Sequence, residues 1–187
     1  MQTEMTKYVD INKDGVYNDA DQGIIGCGQP TFNWGWNNTF NYKNFDFSFF
    51  VVGFHGFDIY NATHQMGYNL IKSQQVAGVT PMRELLNRWT PTNTNTNIPG
   101  FVNGGTENKD FFSTRFVENG SFIKMKSITL GYTLPETACR ALGITNLRVY
   151  ASVQNPFHIT NYSGLDPEAT MGSPLVQGVD WGSYPNS

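Results

Sequence analysis

The feature that most constrains the fold is an alternation of aromatic and polar residues that begins at Phe32. In FNWGWNNTFNY (32–42) every second residue is aromatic except Asn38, and the residues between are Asn, Gly or Thr. Because successive side chains of a strand point to opposite faces, this period predicts a strand with one apolar and one polar side. Lys43-Asn44 then separates it from a second alternating run, FDFSFFV (45–51), which predicts a tight β-hairpin.

Two further strands are predicted in the second half of the chain. The third covers about 121–134, but its apolar residues change parity between Met125 and Ile128, and a β-bulge near Ser127 would reconcile the two halves. The fourth places Leu147, Val149, Ala151 and Val153 on one face. The upper half of the second strand is apolar on both faces at 49–54, which predicts packing against an internal plug or in the core of a sandwich.

The connectors alternate between short and long. Lys43-Asn44 and 135–145 are short, whereas 55–120 and 156–178 are long; Thr80 and Pro81 predict a short helix over MRELLNRW within the first long one. In an antiparallel sheet this places every long connector at one end, as in outer-membrane barrels, whose strands also need about 9–11 residues. The predicted fold class is therefore all-β, with up-and-down antiparallel strands of a transmembrane barrel; a soluble β-sandwich is the alternative.

Composition excludes other classes of protein. Only 14% of the residues are charged and the net charge is −3, with no Lys/Arg cluster, so nucleic-acid binding is not expected. No run reaches the roughly 20 apolar residues of a membrane helix.

A calcium-type loop precedes the first strand. Its candidate ligands follow the spacing of a calcium-binding loop, with Gly15 at the position of the sharp turn and an Asp in place of the usual final Glu; they are Asp10, Asn12, Asp14, the carbonyl of Val16, and Asp21. Calcium binds six to eight oxygen atoms, which this pattern would supply in a structural site. The alternative is a loop of Asx turns that needs no ion.

No catalytic motif is present. The three histidines lack metalloprotease spacing, and Asp166 and Glu168 are better interpreted as a loop turn around Pro167 than as a glycosidase pair, so no enzymatic activity is expected. The connector order puts Cys27 and Cys139 at opposite ends of the sheet, so no disulfide between them is expected.

Several stretches, in order, resemble the C-terminal barrel region of SusC/RagA-type TonB-dependent outer-membrane transporters. They are DINKDGVYNDADQGIIG, FNYKNFDFSFFVVG, RWTPTNTNTNIP, RFVENGSFIKMKSITLGYTLP, LRVYASVQNPF, YSGLDPE and GVDWGSYP. The resemblance covers nearly the whole chain from about Lys7 and implies an outer-membrane barrel of about 22 strands around a plug. It also implies import of oligosaccharides or peptides, driven by TonB, together with a SusD-like lipoprotein that closes the extracellular mouth.

Within that family, residues 1–187 are expected to be a partial barrel domain, without the plug, most strands and the final strand. The long connectors would lie outside the cell. Their aromatic residues could contact sugars or the lipoprotein, although ordinary loop packing is the simpler expectation; examples are Phe57, Tyr60, Trp89 and Tyr162. A soluble extracellular carbohydrate-binding sandwich stabilised by calcium is the alternative function.

Overall fold

The computed structural model describes residues 8–16, 18–68, 82–100, 112–171 and 177–182. Within these residues there are seven strands: β1 (Phe32–Tyr42), β2 (Phe45–His55), β3 (Asp58–Asn61), β4 (Val117–Asn119), β5 (Phe122–Thr133), β6 (Arg148–Thr160) and β7 (Val179–Asp180). The same residues include two short α-helices, α1 (Ala62–Tyr68) and α2 (Glu136–Ala141). Short 3₁₀ helices cover Asp19–Asp21, Arg83–Asn87, Thr114–Phe116 and Pro167–Met171. Among the described residues, no helix is both long enough and apolar enough to cross a membrane.

The main sheet contains four strands in the order β1-β2-β5-β6, and each neighbouring pair is antiparallel. Lys43 adopts a positive φ of 54° in the two-residue turn, which confirms the predicted hairpin. The two short connectors lie at the same end of this sheet, where Thr133 N–H donates to Asn44 O and Leu134 N–H to Leu147 O. A second sheet has the order β4-β3-β7, with β3 and β7 parallel.

The predicted bulge in the third strand is present. Val51 of β2 lies opposite Met125, but Phe50 lies opposite Ser127, so Lys126 is the additional residue of β5. One extra residue reverses the parity of the strand, because side chains alternate with a period of two. The apolar residues on both sides of the bulge therefore remain on the same face.

The fourth strand is longer than predicted, and the loop expected from Pro156 begins only at 161. β6 continues through Asn155 and Pro156 to Thr160, with Asn155 at a φ of 48° where the pairing with β5 shifts. Proline has no N–H for a ladder bond, but Pro156 lies where the pairing with β5 is already interrupted, and a bulge tolerates that loss. Because of this irregularity, β6 continues past Pro156, although a proline usually ends a strand.

The chain folds into two compact units. One contains the four-stranded sheet and draws its described residues from Cys27–Ile59 and Glu118–Gly178; the other draws on the segment up to Gly26 and on Tyr60–Val117 and Val179–Gly182. The second unit contains α1, which periodicity did not predict. Thr80 and Pro81 lie outside the described residues, and the segment after them forms the 3₁₀ helix Arg83–Asn87 instead of an α-helix.

A small apolar core covers one end of the sheet within the first unit. It consists of Phe57, Ile59, Phe122 and Tyr162, and the ring of Phe54 stacks on that of Phe122 with the centroids 5.1 Å apart. Phe54 thus packs against residues of this chain, including Ile59 of β3, and packing of the rest of 49–54 against a plug stays a prediction.

Candidate functional site

One face of the four-stranded sheet carries mostly apolar side chains along its whole length. Directly opposed residues of neighbouring strands share a face, so the register assigns its members without ambiguity. Trp36, Phe40, Leu130 and Val153 are each more than half exposed in this chain. We call it the apolar face, formed by Phe32, Trp34, Trp36, Phe40, Tyr42, Phe45, Phe47, Phe49, Val51, Ile123, Met125, Ile128, Leu130, Tyr132, Val149, Ala151, Val153, Phe157 and Ile159.

Asn38 is the polar interruption of this face. It lies opposite Phe49 in an uninterrupted register between β1 and β2, so the irregular residue does not disturb the local pairing. The Phe49 ring packs edge-on against Trp36, with 5.1 Å between centroids, and lies 6.3 Å from that of Phe40. Asn38 is half-buried among these aromatic neighbours.

At the end of the apolar face away from the hairpin, the Trp34 ring lies over Gly53 of the neighbouring strand β2. A Cβ atom at Gly53 would come within 2.3 Å of the Trp34 ring, so only glycine accommodates the indole in this position. The indole Nε1–H donates to Nε2 of His55 at 3.2 Å, and the two rings are stacked. This hydrogen bond links the Trp34 indole to the His55 imidazole at the end of the sheet away from the hairpin.

The opposite face carries mainly hydroxyl and amide groups along its hairpin half. We call it the polar face; Asn37, Thr39, Ser48, Thr129 and Ser152 are among its residues. Arg148 of β6 reaches across β5 to Asp46 of β2, with Nε donating to Oδ1 at 3.0 Å. The ion pair passes over Gly131, where a Cβ would lie 2.4 Å from Asp46 Oδ1. Glycine therefore permits a charged contact between two strands that are not neighbours.

A cluster of four charged side chains lies on the polar face near the bulge. The ion cluster comprises Lys124, Lys126, Asp166 and Glu168. Lys124 Nζ donates to Asp166 Oδ2 at 2.6 Å and to Glu168 Oε2 at 2.7 Å, and Lys126 Nζ donates to Glu168 Oε1. The side chains of Lys124 and Asp166 are each 5% exposed. Such a pair persists in a dry environment only with complementary charges and hydrogen bonds at short range.

The ion cluster favours the ionised form of Glu168, which lies in the loop after β6. Burial opposes the charged form of this carboxyl, but hydrogen bonds from Lys124 and Lys126 and the attraction of both ammonium groups outweigh it. The pKa of Glu168 is consequently lowered from its usual 4.5. Glu168 is therefore a carboxylate at neutral pH and stays bound to both lysines.

The two carboxylates of the LDPE stretch thus serve the loop. Asp166 Oδ1 accepts from Glu168 N–H at 2.9 Å, and Pro167 is fully buried between them. Sequence reasoning identified this turn but missed Lys124 and Lys126, because a bulged strand with two nearby lysines gives no sign of what the lysines contact. Of the aromatic residues proposed for ligand contact, Phe57, Tyr60 and Tyr162 are buried.

The calcium-type loop is closed by its own backbone. Asp10 accepts from Lys13 N–H at 2.6 Å and from Gly15 N–H at 2.8 Å, and Asp14 accepts from Val16 N–H at 2.7 Å. Lys13 and Gly15 both have positive φ, 61° and 79°. Asn12 Oδ1 accepts from Asp14 N–H at 3.0 Å. These are the Asx turns that the alternative interpretation expected.

Asp21 ties the two ends of this loop together. Its Oδ1 accepts from Ile11 N–H at 2.8 Å and its Oδ2 from Asn18 N–H at 2.9 Å. The Asn18 amide is the main cause that lowers the pKa of Asp21 from 3.8; burial opposes the shift, and the amides of Ile11 and Asn12 reinforce it. The loop is therefore built on an ionised Asp21.

The donors of this loop fit calcium in type, since all are oxygen atoms. Their arrangement fits less well, because the carboxylates of Asp10, Asp14 and Asp21 point toward backbone amides. Within the described residues, no group of three or more His, Cys, Asp or Glu side chains is placed to hold a metal ion. Calcium binding stays a prediction.

Cys27 and Cys139 are both free thiols. Cys27 is exposed and precedes β1, with its N–H bonded to Asp58 Oδ2 at 3.1 Å, whereas Cys139 is buried in α2 between β5 and β6. The strand order therefore puts them at opposite ends of the sheet, as the connector lengths predicted.

Two TonB-dependent receptors are similar in sequence to nearly the whole of this chain. The chain is 35% identical over 185 residues to TonB-dependent receptor P3 of Formosa agariphila and covers 17% of that protein. It is 30% identical over 181 residues to TonB-dependent receptor SusC of Bacteroides thetaiotaomicron and covers 16% of it. The match includes 96% of this chain in both cases, so the chain spans about a sixth of the length of these relatives. No family model matches the chain.

Solved structures of a peptide importer have the same fold as this chain. The RagAB peptide importer in its closed-closed state superimposes with a TM-score of 0.72 over 97% of this chain, at 24% identity. Its open-open state gives 0.66 over 84% of the chain, at 26% identity. These relatives are named as receptors and importers rather than as enzymes. The resemblance seen in the sequence is confirmed: this chain aligns, over nearly its whole length, with one segment of the SusC/RagA-type TonB-dependent receptors.

Proposed function

We propose that this chain forms four consecutive membrane-spanning strands of an outer-membrane TonB-dependent transporter. One observation carries the proposal: the four-stranded sheet keeps an apolar face across the bulge, and its opposite face carries hydroxyl and amide groups along the hairpin half and paired charged groups beside the bulge. A barrel strand needs this combination, because one face contacts lipid and the other lines the interior. The strands have 11 to 13 residues, sufficient to cross the hydrocarbon region at a tilt.

The partial barrel belongs to the same proposal. β1 and β6 are the edges of the sheet, and an edge inside a membrane must be paired by another strand. Since the chain spans about a sixth of its relatives, the remaining strands, the plug and the segment that contacts TonB would come from other parts of the parent protein. The hairpin turn and α2 would face the periplasm, and the long connectors the outside of the cell.

The transported solute would be an oligosaccharide or a peptide, taken up with a SusD-like lipoprotein over the extracellular mouth. Support comes from the relatives, one of which is SusC and another a RagAB peptide importer. The soluble carbohydrate-binding sandwich is not favoured, because these relatives are receptors and importers and the large residues of the apolar face are exposed.

Two single substitutions on neighbouring residues of β6 test the proposal. Val153→Arg adds a charge to the apolar face near mid-strand, and Ser152→Arg adds the same charge to the polar face. A charge facing lipid at the midplane costs about 2–4 kcal/mol, whereas one facing an aqueous interior is tolerated. With the parent protein expressed in its natural host, Val153→Arg should deplete it from the outer-membrane fraction and impair growth on the transported glycan or peptide. Equal tolerance of both variants would argue against a lipid-facing apolar face.

A further inference from the structure

The loop that follows β6, residues 161–171, is held at three points, two of them on the polar face and one on β4. Tyr162 enters the small core beside Phe122. Ser163 donates to the Glu118 carboxylate through its N–H at 2.9 Å and its hydroxyl at 2.8 Å. The ion cluster then holds the far half of the loop, at Asp166 and Glu168. The loop therefore lies along the polar face near β5.

The bulge in β5 explains how one strand supplies two lysines to this loop. Lys124 belongs to the polar face in the regular part of the strand, opposite Val52. Lys126 is the additional residue of the bulge, and it reaches Glu168 on that same face. Bulges redirect side chains in this way beside functional sites. The two lysines and two carboxylates of the ion cluster balance in charge. The cluster therefore holds the loop in one position and adds no net charge to the polar face.

We propose that Lys124 and Lys126 are positioning residues that hold the 161–171 loop against the interior wall of the barrel, where it narrows the solute passage. The inference rests on the proposed function, since it takes the polar face as the interior. A buried ion pair adds little stability compared with an apolar pair of similar shape, but removing one partner is costly because the other charge stays buried. The buried Lys124–Asp166 pair therefore serves to hold the loop in one position more than to stabilise the fold. The Lys126–Glu168 pair, with both side chains 30% exposed, would face the solute.

Thiol labelling measures release of the loop. In a Cys27→Ser, Cys139→Ala background, Thr170→Cys places a thiol at a buried position of the loop, so its labelling rate reports how often the loop opens. Lys124→Met should raise that rate by about a hundredfold or more, because it leaves Asp166 buried without its partner. Adding Asp166→Asn should reverse part of the increase, since the two substitutions are coupled. Arg140→Met, which removes an exposed ion pair with Glu136, is the matched control and should change nothing.

Passage through the barrel is the second measurement, made on cells that carry the parent protein at wild-type abundance with its plug deleted, since an intact plug would close the barrel in every variant. Lys124→Met should increase sensitivity to vancomycin, an antibiotic too bulky to cross an intact outer membrane, while Arg140→Met should not. An unchanged Thr170→Cys labelling rate in Lys124→Met would overturn the positioning role. Faster labelling with unchanged vancomycin sensitivity would overturn the claim that the loop narrows the passage. Absence of the wild-type protein from the outer membrane would instead refute the proposed function, and labelling would still decide whether Lys124 holds the loop.

Discussion

At the residue scale, Gly53 leaves the space on the apolar face that the Trp34 ring occupies. Gly53→Ala would put a methyl group within 2.3 Å of the indole, so the ring must move and lose its hydrogen bond to His55. Overpacking of this kind costs about 1–3 kcal/mol. We expect the parent protein with Gly53→Ala to unfold at a lower temperature, measured by the loss of the compact species in SDS electrophoresis without boiling. Gly35→Ala is the control, because its Cβ would come only to 3.2 Å from the Phe50 ring; equal midpoints for the two variants would contradict this account.

The loop from Asp10 to Asp21 makes its own prediction at the same scale. If it binds calcium, the dissociation constant should be that of an extracellular module, about 10⁻⁴–10⁻³ M, because the oxygen atoms must first give up part of their backbone bonding. Calorimetric titration of the purified parent protein should then show a site that the Asp10→Asn, Asp14→Asn double variant loses. Asp19→Asn, whose carboxylate accepts from the Gln22 side chain, should retain it. Heat of binding that is the same in both variants would show that the backbone-closed form needs no ion.

At the scale of elements, the ion cluster predicts how attachment of the 161–171 loop depends on pH. The pKa of Glu168 is lower in the folded protein than its usual 4.5, so its contribution is complete above 4.5 and is lost as the pH falls through the folded value. The reference is a second variant, Leu142→Cys, which carries an exposed thiol. We expect the labelling rate at Thr170→Cys, divided by that of the reference, to be constant from neutral pH to about 5 and to rise below 4.5. A disulfide-exchange reagent that still reacts in acid is suitable. A rise that begins near neutral pH would assign loop attachment to a different group.

The elements also separate what periodicity can predict from what it cannot. Hairpin, bulge and apolar face follow from a period of two, which is a local property of the sequence. The extension of β6 past Pro156 does not, since it depends on an irregular pairing with β5 that only the neighbouring strand determines. The contact of Lys124 with Asp166, 42 residues away, is likewise invisible to local pattern. Its only sequence signal was a pair of lysines in an otherwise sparsely charged strand.

For the whole molecule, the central claim is that the apolar face contacts lipid and the polar face lines an enclosed interior. The sequence supported that claim through connector lengths and through resemblance to a family, and the observed register extends the apolar face across all four strands. The partners of the two edge strands could not be inferred in the same way, because under the proposed function they would lie in other parts of the parent protein.

Spin labels along β6 test this claim most directly. Single cysteines at Val149, Ala151 and Val153 alternate with those at Tyr150, Ser152 and Gln154, all in the parent protein, reconstituted in lipid, with Cys27 and Cys139 replaced. Lipid-soluble oxygen should relax the odd-numbered labels most strongly, and a water-soluble nickel chelate the even-numbered ones. A collision profile without this period of two, or with the two sets exchanged, would contradict the account.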